Sequence, residues 1–190
     1  MSYKLIILSA PSGAGKTTIA RHLLNAGLDL EFSVSACSRA MRDGEVNGRD
    51  YYFMSAAEFK KRVQAGELLE WQEVYPDHFY GTLKSEIDRI HRTGHHVLFD
   101  VDVKGGINIK KIYGDQALSV FIMPPSLEVL RERLEHRGTD SPEKIRLRLA
   151  KAEIEMADAP KFDAILINDD LDIALQESVA IVKNFLNAKE

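Results

Sequence analysis

Residues 5–18 constrain this chain more than any other stretch. Leu5-Ile6-Ile7-Leu8 is continuously apolar, the pattern of a central parallel strand covered on both faces. It leads straight into Ser9-Ala10-Pro11-Ser12-Gly13-Ala14-Gly15-Lys16-Thr17-Thr18. A helix is then expected from about Lys16 to Asn25, with Ile19, Ala20, Leu23 and Leu24 on one face and Gly27 as its stop. Glycines in such a turn let backbone N–H groups aim inward at an anion. The helix that follows turns its positive end to the same point. Lys16 then reaches the β- and γ-phosphates of a nucleoside triphosphate, and the Thr17 hydroxyl is a ligand for Mg²⁺. The full pattern has glycine where this chain has Ala10. The alternative is a glycine-rich turn with an incidental lysine. The strand before and the helix after favour the phosphate loop, which by itself does not say what becomes of the γ-phosphate.

Three further buried strands are expected at Val97-Leu98-Phe99, Val120-Phe121-Ile122 and Ala164-Ile165-Leu166-Ile167, with helices between and after them. That alternation predicts a mostly parallel sheet wrapped on both sides. Two stretches depart from it. Residues 32–80 are richer in aromatic and polar residues, with a capping box at Ser55-Ala56-Ala57-Glu58; they read as a subdomain inserted over the sheet. Residues 128–148 are rich in arginine, broken at Gly138-Thr139-Asp140, and restart at Ser141-Pro142 with proline in the first helical position. They read as a helix-turn-helix flap. At 190 residues the chain fits one compact domain with small insertions. A net charge of −4 argues against a general nucleic-acid coat. No stretch approaches the roughly 20 apolar residues of a membrane span. One cysteine, Cys37, allows no internal disulfide, and the expectation is a soluble, cytoplasmic protein. The six histidines lack metal-ligand spacing and read as surface or structural residues.

The insert carries Arg39, Arg42 and Arg49, flanked by Ser35, Tyr51 and Tyr80, with Glu70 beside Trp71. Arginine forks match phosphate oxygens, and tyrosine hydroxyls add donors to the same group. A carboxylate such as Glu70 accepts from the N1–H and N2–H₂ donors of guanine, whereas adenine offers one donor on that edge. These residues can therefore read phosphate at one end and guanine at the other; a solvated loop is the alternative. Asp100-Val101-Asp102 ends an expected strand, at the edge where open α/β sheets bind ligands. Asp100 is the candidate to hold Mg²⁺ through water, while Asp102 serves either the site or a helix cap. Arg133 and Arg137, four apart, share a helix face, and Arg148 lies after the break. Arginines that close over a transferring phosphoryl group stabilise its charge; Arg131 and Arg146 read as solvated. Asn168-Asp169 ends the last strand, where an amide can pair with an adenine edge or simply make a turn.

Taken together, these pieces resemble guanylate kinases over nearly the whole length, from Leu5 to about Leu186. The resemblance is carried by the phosphate loop, Ser33-Val34-Ser35, Arg39-Ala40-Met41-Arg42, residues 44–51, Glu70, Tyr80-Gly81-Thr82, Asp100-Val101-Asp102, Arg137-Gly138-Thr139, Arg148-Leu149 and Asn168-Asp169-Asp170-Leu171. It implies a three-layer α/β sandwich of the phosphate-loop NTPase type. The core would span about 1–32, 83–125 and 156–190, with a GMP-binding insert at about 33–82 and a helical lid at about 126–155. It further implies the reaction MgATP + GMP → ADP + GDP, in purine nucleotide metabolism. Arg39, Arg42, Tyr51 and Tyr80 would take the GMP phosphate; Ser35, Glu70 and Thr82 would read guanine, with Asp102 near the acceptor. Residues 10–18, Arg133, Asn168 and Asp169 would hold ATP, Thr17 and Asp100 would serve Mg²⁺, and Lys16, Arg42, Arg137 and Arg148 would act on the transferred group. The acceptor could extend to dGMP, and the protein would be a monomer or a homodimer. The segment Tyr75-Pro76-Asp77-His78-Phe79 is one residue longer than is common in the family, which bears on the placement of Tyr80 and Thr82. Two other readings stay open: a partner-binding module of guanylate-kinase-like form that no longer uses ATP, and a kinase for a different nucleoside monophosphate.

Overall fold

The computed structural model describes residues 3–138 and 140–188; Thr139, part of the arginine motif above, lies outside the described residues. The central sheet contains β1 (Leu5–Ser9), β2 (Leu30–Phe32), β7 (His96–Asp100), β8 (Ala117–Met123) and β9 (Ala164–Ile167), in the spatial order β2-β7-β1-β8-β9. Every pairing in it is parallel. β1 lies at its centre, and all five of its residues are buried. Its apolar run serves two cores at once, because successive side chains point to opposite faces. Ile6 and Leu8 pack with α1 (Lys16–Leu24) and α7 (Leu171–Asn187). Leu5 and Ile7 pack with α3 (Lys84–Arg92) and α4 (Val103–Tyr113). Helices on both faces of a parallel sheet make the expected three layers. Among the described residues, no helix is long and apolar enough to cross a membrane.

The last expected strand forms at Ala164–Ile167 but is not a buried one. β9 is the sheet edge, and Ile165 and Ile167 are 46% and 57% exposed. Its apolar residues reflect strand propensity as much as burial.

Residues 36–83 build a second, four-stranded sheet, more regular than the sequence suggested. It comprises β3 (Ala36–Cys37), β4 (Tyr52–Phe53), β5 (Leu68–Tyr75) and β6 (His78–Leu83), in the order β4-β3-β6-β5. One face packs Ala36, Phe59, Leu68, Phe79 and Leu83 with α2 (Ala56–Gln64). The capping box at the start of α2 is half made. The Ser55 hydroxyl accepts from the Glu58 N–H at 3.1 Å, but the Glu58 carboxylate turns to Arg62. β5 carries two register shifts against β6, between Leu68 and Glu70 and between Glu73 and Tyr75. Each adds one residue to β5. Between the two shifts, Tyr80 and Thr82 pair with Gln72 and Glu70.

The flap is α5 (Leu127–His136) followed by α6 (Pro142–Ala157), joined through Leu130, Leu134, Ile145 and Ala152. Ser141 caps α6 and Pro142 opens it, as expected.

The two sheets are tied together at Glu86 on α3, which is only 2% exposed. Its carboxylate accepts from the Val34 N–H at 3.1 Å, the Tyr52 hydroxyl at 2.8 Å and Arg89 at 2.8 Å. Burial pushes the Glu86 carboxyl up, but the bonds from Arg89, Val34 and Tyr52 outweigh it and hold the carboxyl below its ordinary 4.5. Removing one partner of such a buried charged group leaves the others unpaired. Glu86→Ala is therefore expected to destabilise the fold by about 2–4 kcal/mol, read from urea unfolding at pH 7. Because the folded-state value is depressed, this contribution is present above about pH 4.5 and is lost as pH falls through the folded-state value. The gap between wild type and variant is expected to narrow on acidification.

Candidate active site

The loop between β1 and α1 has the form an anion requires. Gly13 and Gly15 sit at φ 96° and 98°, a region that L side chains rarely adopt. Among the described residues, the N–H groups of Gly13, Gly15, Lys16 and Thr17 find no acceptor, whereas the Ala14 N–H closes the turn onto the Pro11 carbonyl at 3.1 Å. Four donors without partners at a helix N-terminus are the groups that an anion takes up. Ala10, Pro11 and Ala14 are buried and shape the turn, while Ser12, Thr17 and Thr18 are exposed.

Asn168, expected beside the adenine, also braces the loop through its amide nitrogen. The residue is buried, and its amide donates to the Ala14 carbonyl at 2.7 Å. A Cβ on Gly15 would collide with that amide nitrogen. Asn168 therefore clamps the loop from behind. Its own carbonyl accepts from Arg133 at 2.8 Å, and the Asp169 carbonyl does so at 3.3 Å. Arg133 thus ties α5 to the end of β9. Arg148, from α6, pairs with Asp140 at 3.1 Å and also donates to the Ser12 hydroxyl. Arg137 is exposed, with no polar partner among the described residues.

In front of the loop lies a cavity of about 300 Å³. It is lined by Lys16, Asp100, Val101 and Asp102 from the central sheet, by Ser35, Tyr51, Glu70, Gln72, Val74, Tyr80 and Gly81 from the second sheet, and by Lys151 from α6. Lys16 pairs with the Asp100 carboxylate and donates to the Val101 carbonyl at 2.9 Å. Asp102 does both things foreseen for it: it lines the cavity, and it caps α4 by accepting from the Gly105 N–H at 2.7 Å. A second depression, of about 310 Å³, follows β9 and the start of α7. Its charged lining residues are Asp169, Asp170 and Glu177, with no cation, so it is the wrong sign for a phosphate ligand.

Glu70 accepts from the Thr82 hydroxyl at 2.7 Å, leaving its second oxygen toward the cavity side, near Gly105. Burial, with a lesser push from Asp102, raises the Glu70 carboxyl above its ordinary value, against the opposing bond from Thr82. At the other flank, Arg39 forks onto Glu45 at 2.5 and 2.7 Å. The same guanidinium stands over the rings of Tyr51 and Phe53, 5.1 and 5.3 Å from their centroids. Tyr51 meets Tyr80 edge-on at 6.0 Å. Bonds from Arg39 and the Arg42 N–H hold the Glu45 carboxyl down at about 2. Arg42 offers only that N–H here; its side chain is exposed and unpaired among the described residues. Arg49 pairs with its neighbour Asp50 at 2.8 Å. Cys37 is buried, and burial raises its thiol.

Sequence reasoning missed Gln72, Val74, Lys151 and Glu45. Gln72 lies two residues after Glu70, so strand alternation puts both on one face. Lys151 follows Arg148 by three, one helical turn along α6. For Mg²⁺, the oxygen donors are the Thr17 hydroxyl, unbonded among the described residues, and the Asp100 carboxylate. One hydroxyl and one carboxylate suit a small hard cation that keeps waters and shares a substrate's phosphates.

The Guanylate kinase family model matches residues 2–189. A guanylate kinase of Bacteroides thetaiotaomicron is 52% identical over 98% of this chain and 92% of its own length. One from Salinibacter ruber is 51% identical over 97% of both chains. Among solved structures, the guanylate kinase of Anaplasma phagocytophilum superposes with a TM-score of 0.78 at 28% identity, covering 99% of this chain and 88% of that one.

Burial of the Glu70 carboxyl has a consequence for stability. An acid whose folded-state value is raised costs stability once pH exceeds its unfolded value. Glu70→Gln keeps an acceptor for Thr82 and removes the charge. Its melting temperature is expected to exceed that of wild type at pH 7, with the gain vanishing near pH 4.5 and below, where both states are protonated. A variant that melts lower than wild type at pH 7 would contradict this assignment.

Proposed function

The chain belongs to the guanylate kinase family, and from that premise we propose how its residues divide the work. It is an ATP-dependent nucleoside monophosphate kinase that phosphorylates GMP to GDP. In our reading the loop 9–18 holds the donor triphosphate, and the cavity beneath the second sheet holds GMP. The insert at about 33–82 is then the acceptor subdomain, and residues 126–155 are the lid. The observation that carries this is a shared wall. Lys16, the lysine of the donor loop, lines the same cavity as Ser35, Tyr51, Glu70 and Tyr80.

The chemistry follows from positions and charges. Glu70, with Thr82 and Ser35 beside it, accepts from the guanine N1–H and N2–H₂. Arg39, oriented by Glu45, holds the GMP phosphate with Tyr51, Tyr80 and Arg42. That phosphate carries about −1.5 to −2 charge near neutrality, so its oxygen attacks without a protein base. The task is alignment of acceptor oxygen, phosphorus and leaving group. Thr17, and Asp100 through water, would hold Mg²⁺, which when bound supplies charge neutralisation on the triphosphate oxygens. Lys16 exchanges Asp100 for a phosphate oxygen when the donor enters, which frees that carboxylate. Arg133 and Arg148 already tie the lid to the end of β9 and to Ser12. Arg137 is the remaining lid cation available to the transferring group. Closure also excludes water, the competing acceptor.

ADP release measured with GMP, AMP, CMP and UMP in parallel should show turnover with GMP far above the others; equal turnover with AMP would remove Glu70 and Thr82 as base readers. Lys16→Ala is expected to fall below about 1% of wild-type kcat. Arg137→Ala should lower kcat by about 100-fold while KM for GMP moves little. An unchanged kcat would return Arg137 to the solvated surface.

A further inference from the structure

We infer that Gln72 reads the ribose of the acceptor nucleotide, an inference that rests on the cavity being the GMP site. The register of the second sheet lays the cavity residues out in rows. Glu70 lies opposite Thr82, and Gln72 opposite Tyr80. Ala36 pairs with Gly81, so one further step of the same register sets Ser35 beside Thr82. Ser35, Thr82 and Glu70 therefore form one row, and Tyr80 and Gln72 belong to the next. Successive side chains on one face of a strand are about 7 Å apart. The rows thus follow the long axis of a nucleotide, with the base-reading row first and the phosphate end beyond it.

Within the second row the two ends differ. The cation, Arg39, stands over Tyr51 and Phe53 on the β3–β4 side. Gln72 is on β5, the opposite edge of the sheet, and is neutral. A neutral amide beside Tyr80, away from the arginine, suits the sugar rather than the phosphate.

The state of the Gln72 side chain supports the same conclusion. Its Oε1 is buried and has no hydrogen-bond partner among the described residues, although the residue lines the cavity. A buried acceptor without a donor is costly unless a ligand supplies one. Guanosine monophosphate carries few donors. N1–H and N2–H₂ are matched by the Glu70 carboxylate, and the phosphate at neutral pH is chiefly an acceptor. The donors left over are the ribose 2′ and 3′ hydroxyls, and the amide of Gln72 can both accept from and donate to a hydroxyl. Gln72 is thereby a specificity-determining residue for ribonucleotide over deoxyribonucleotide.

The test uses the whole enzyme with GMP, 2′-deoxy-GMP and 3′-deoxy-GMP as acceptors, in wild type, Gln72→Met and Gln72→Ala. Methionine keeps the length of the side chain and removes the amide. Wild type should prefer GMP over at least one deoxy analogue by about three- to tenfold in kcat/KM, the size of one lost hydrogen bond. Both variants should bring that ratio close to one. Neither should melt below wild type without ligand, because the group removed has no partner. A ratio unchanged in both variants, or an equal fall for all three acceptors, overturns the inference. Glu70→Ala separates it from its premise: KM should rise for all three acceptors alike, and an unmoved KM for GMP would show that the cavity itself was misassigned.

Discussion

The Asn168 amide, bonded to the Ala14 carbonyl and packed over Gly15, fixes the one turn on which the other parts of the site converge. β1 brings that turn to the centre of the sheet edge, and α1 begins on it. Asn168 ends β9, two strands away, so the clamp carries the rigidity of the sheet into the loop. Through its carbonyl it also receives Arg133 from α5, and the loop's Ser12 receives Arg148 from α6. The α5–α6 pair is therefore joined to the loop and its clamp through two arginines. The N–H groups of Gly13, Gly15, Lys16 and Thr17 have no acceptor among the described residues, while the clamp takes the Ala14 carbonyl. A side chain at Gly15 would remove both the φ near 98° and the room for the amide.

Charge at the site is balanced by exchange. Lys16 is neutralised by Asp100, and Arg39 by Glu45. Each cation has an internal partner of the kind a substrate phosphate would replace or join. Glu70 is the exception: it has the Thr82 hydroxyl but no cation, and burial raises its carboxyl. It faces the cavity without a neutralising neighbour. Stability is sacrificed at that position, while the Glu86 cluster, fully satisfied by Arg89, Tyr52 and Val34, fixes the second sheet to α3.

The features legible in the sequence were those set by local chemistry. The loop needed only glycines, a lysine and a strand–helix context, and it formed where expected. Ser141-Pro142 and Ser55 started helices because caps act within one turn. β1, β7 and β8 announced themselves as buried runs. What escaped depended on pairing between distant segments. β3 and β4 are two residues each, too short for any periodicity, and they exist only because β6 and each other complete their hydrogen bonds. The bond from the Asn168 amide to the loop was out of reach because its partner, Ala14, is 154 residues away. The edge position of β9 was invisible for the same reason, since Ile165 and Ile167 read alike whether covered or not.

The cavity lined by the second sheet shows most clearly how much rests on register. A one-residue slip sends every side chain of a strand to the opposite face. Leu68 of β5 packs against α2. In an unbroken strand Glu70 would share that face, and Leu69 would point to the cavity. The shift between Leu68 and Glu70 reverses the alternation. Leu69 then packs against the core beneath the central sheet, while Glu70 and Gln72 line the cavity. The second shift, between Glu73 and Tyr75, adds one more residue to β5 just before the turn into β6. Two inserted backbone residues thus decide which side chains of β5 line the cavity. The Glu70 carboxylate and the Gln72 amide reach the cavity as a pair.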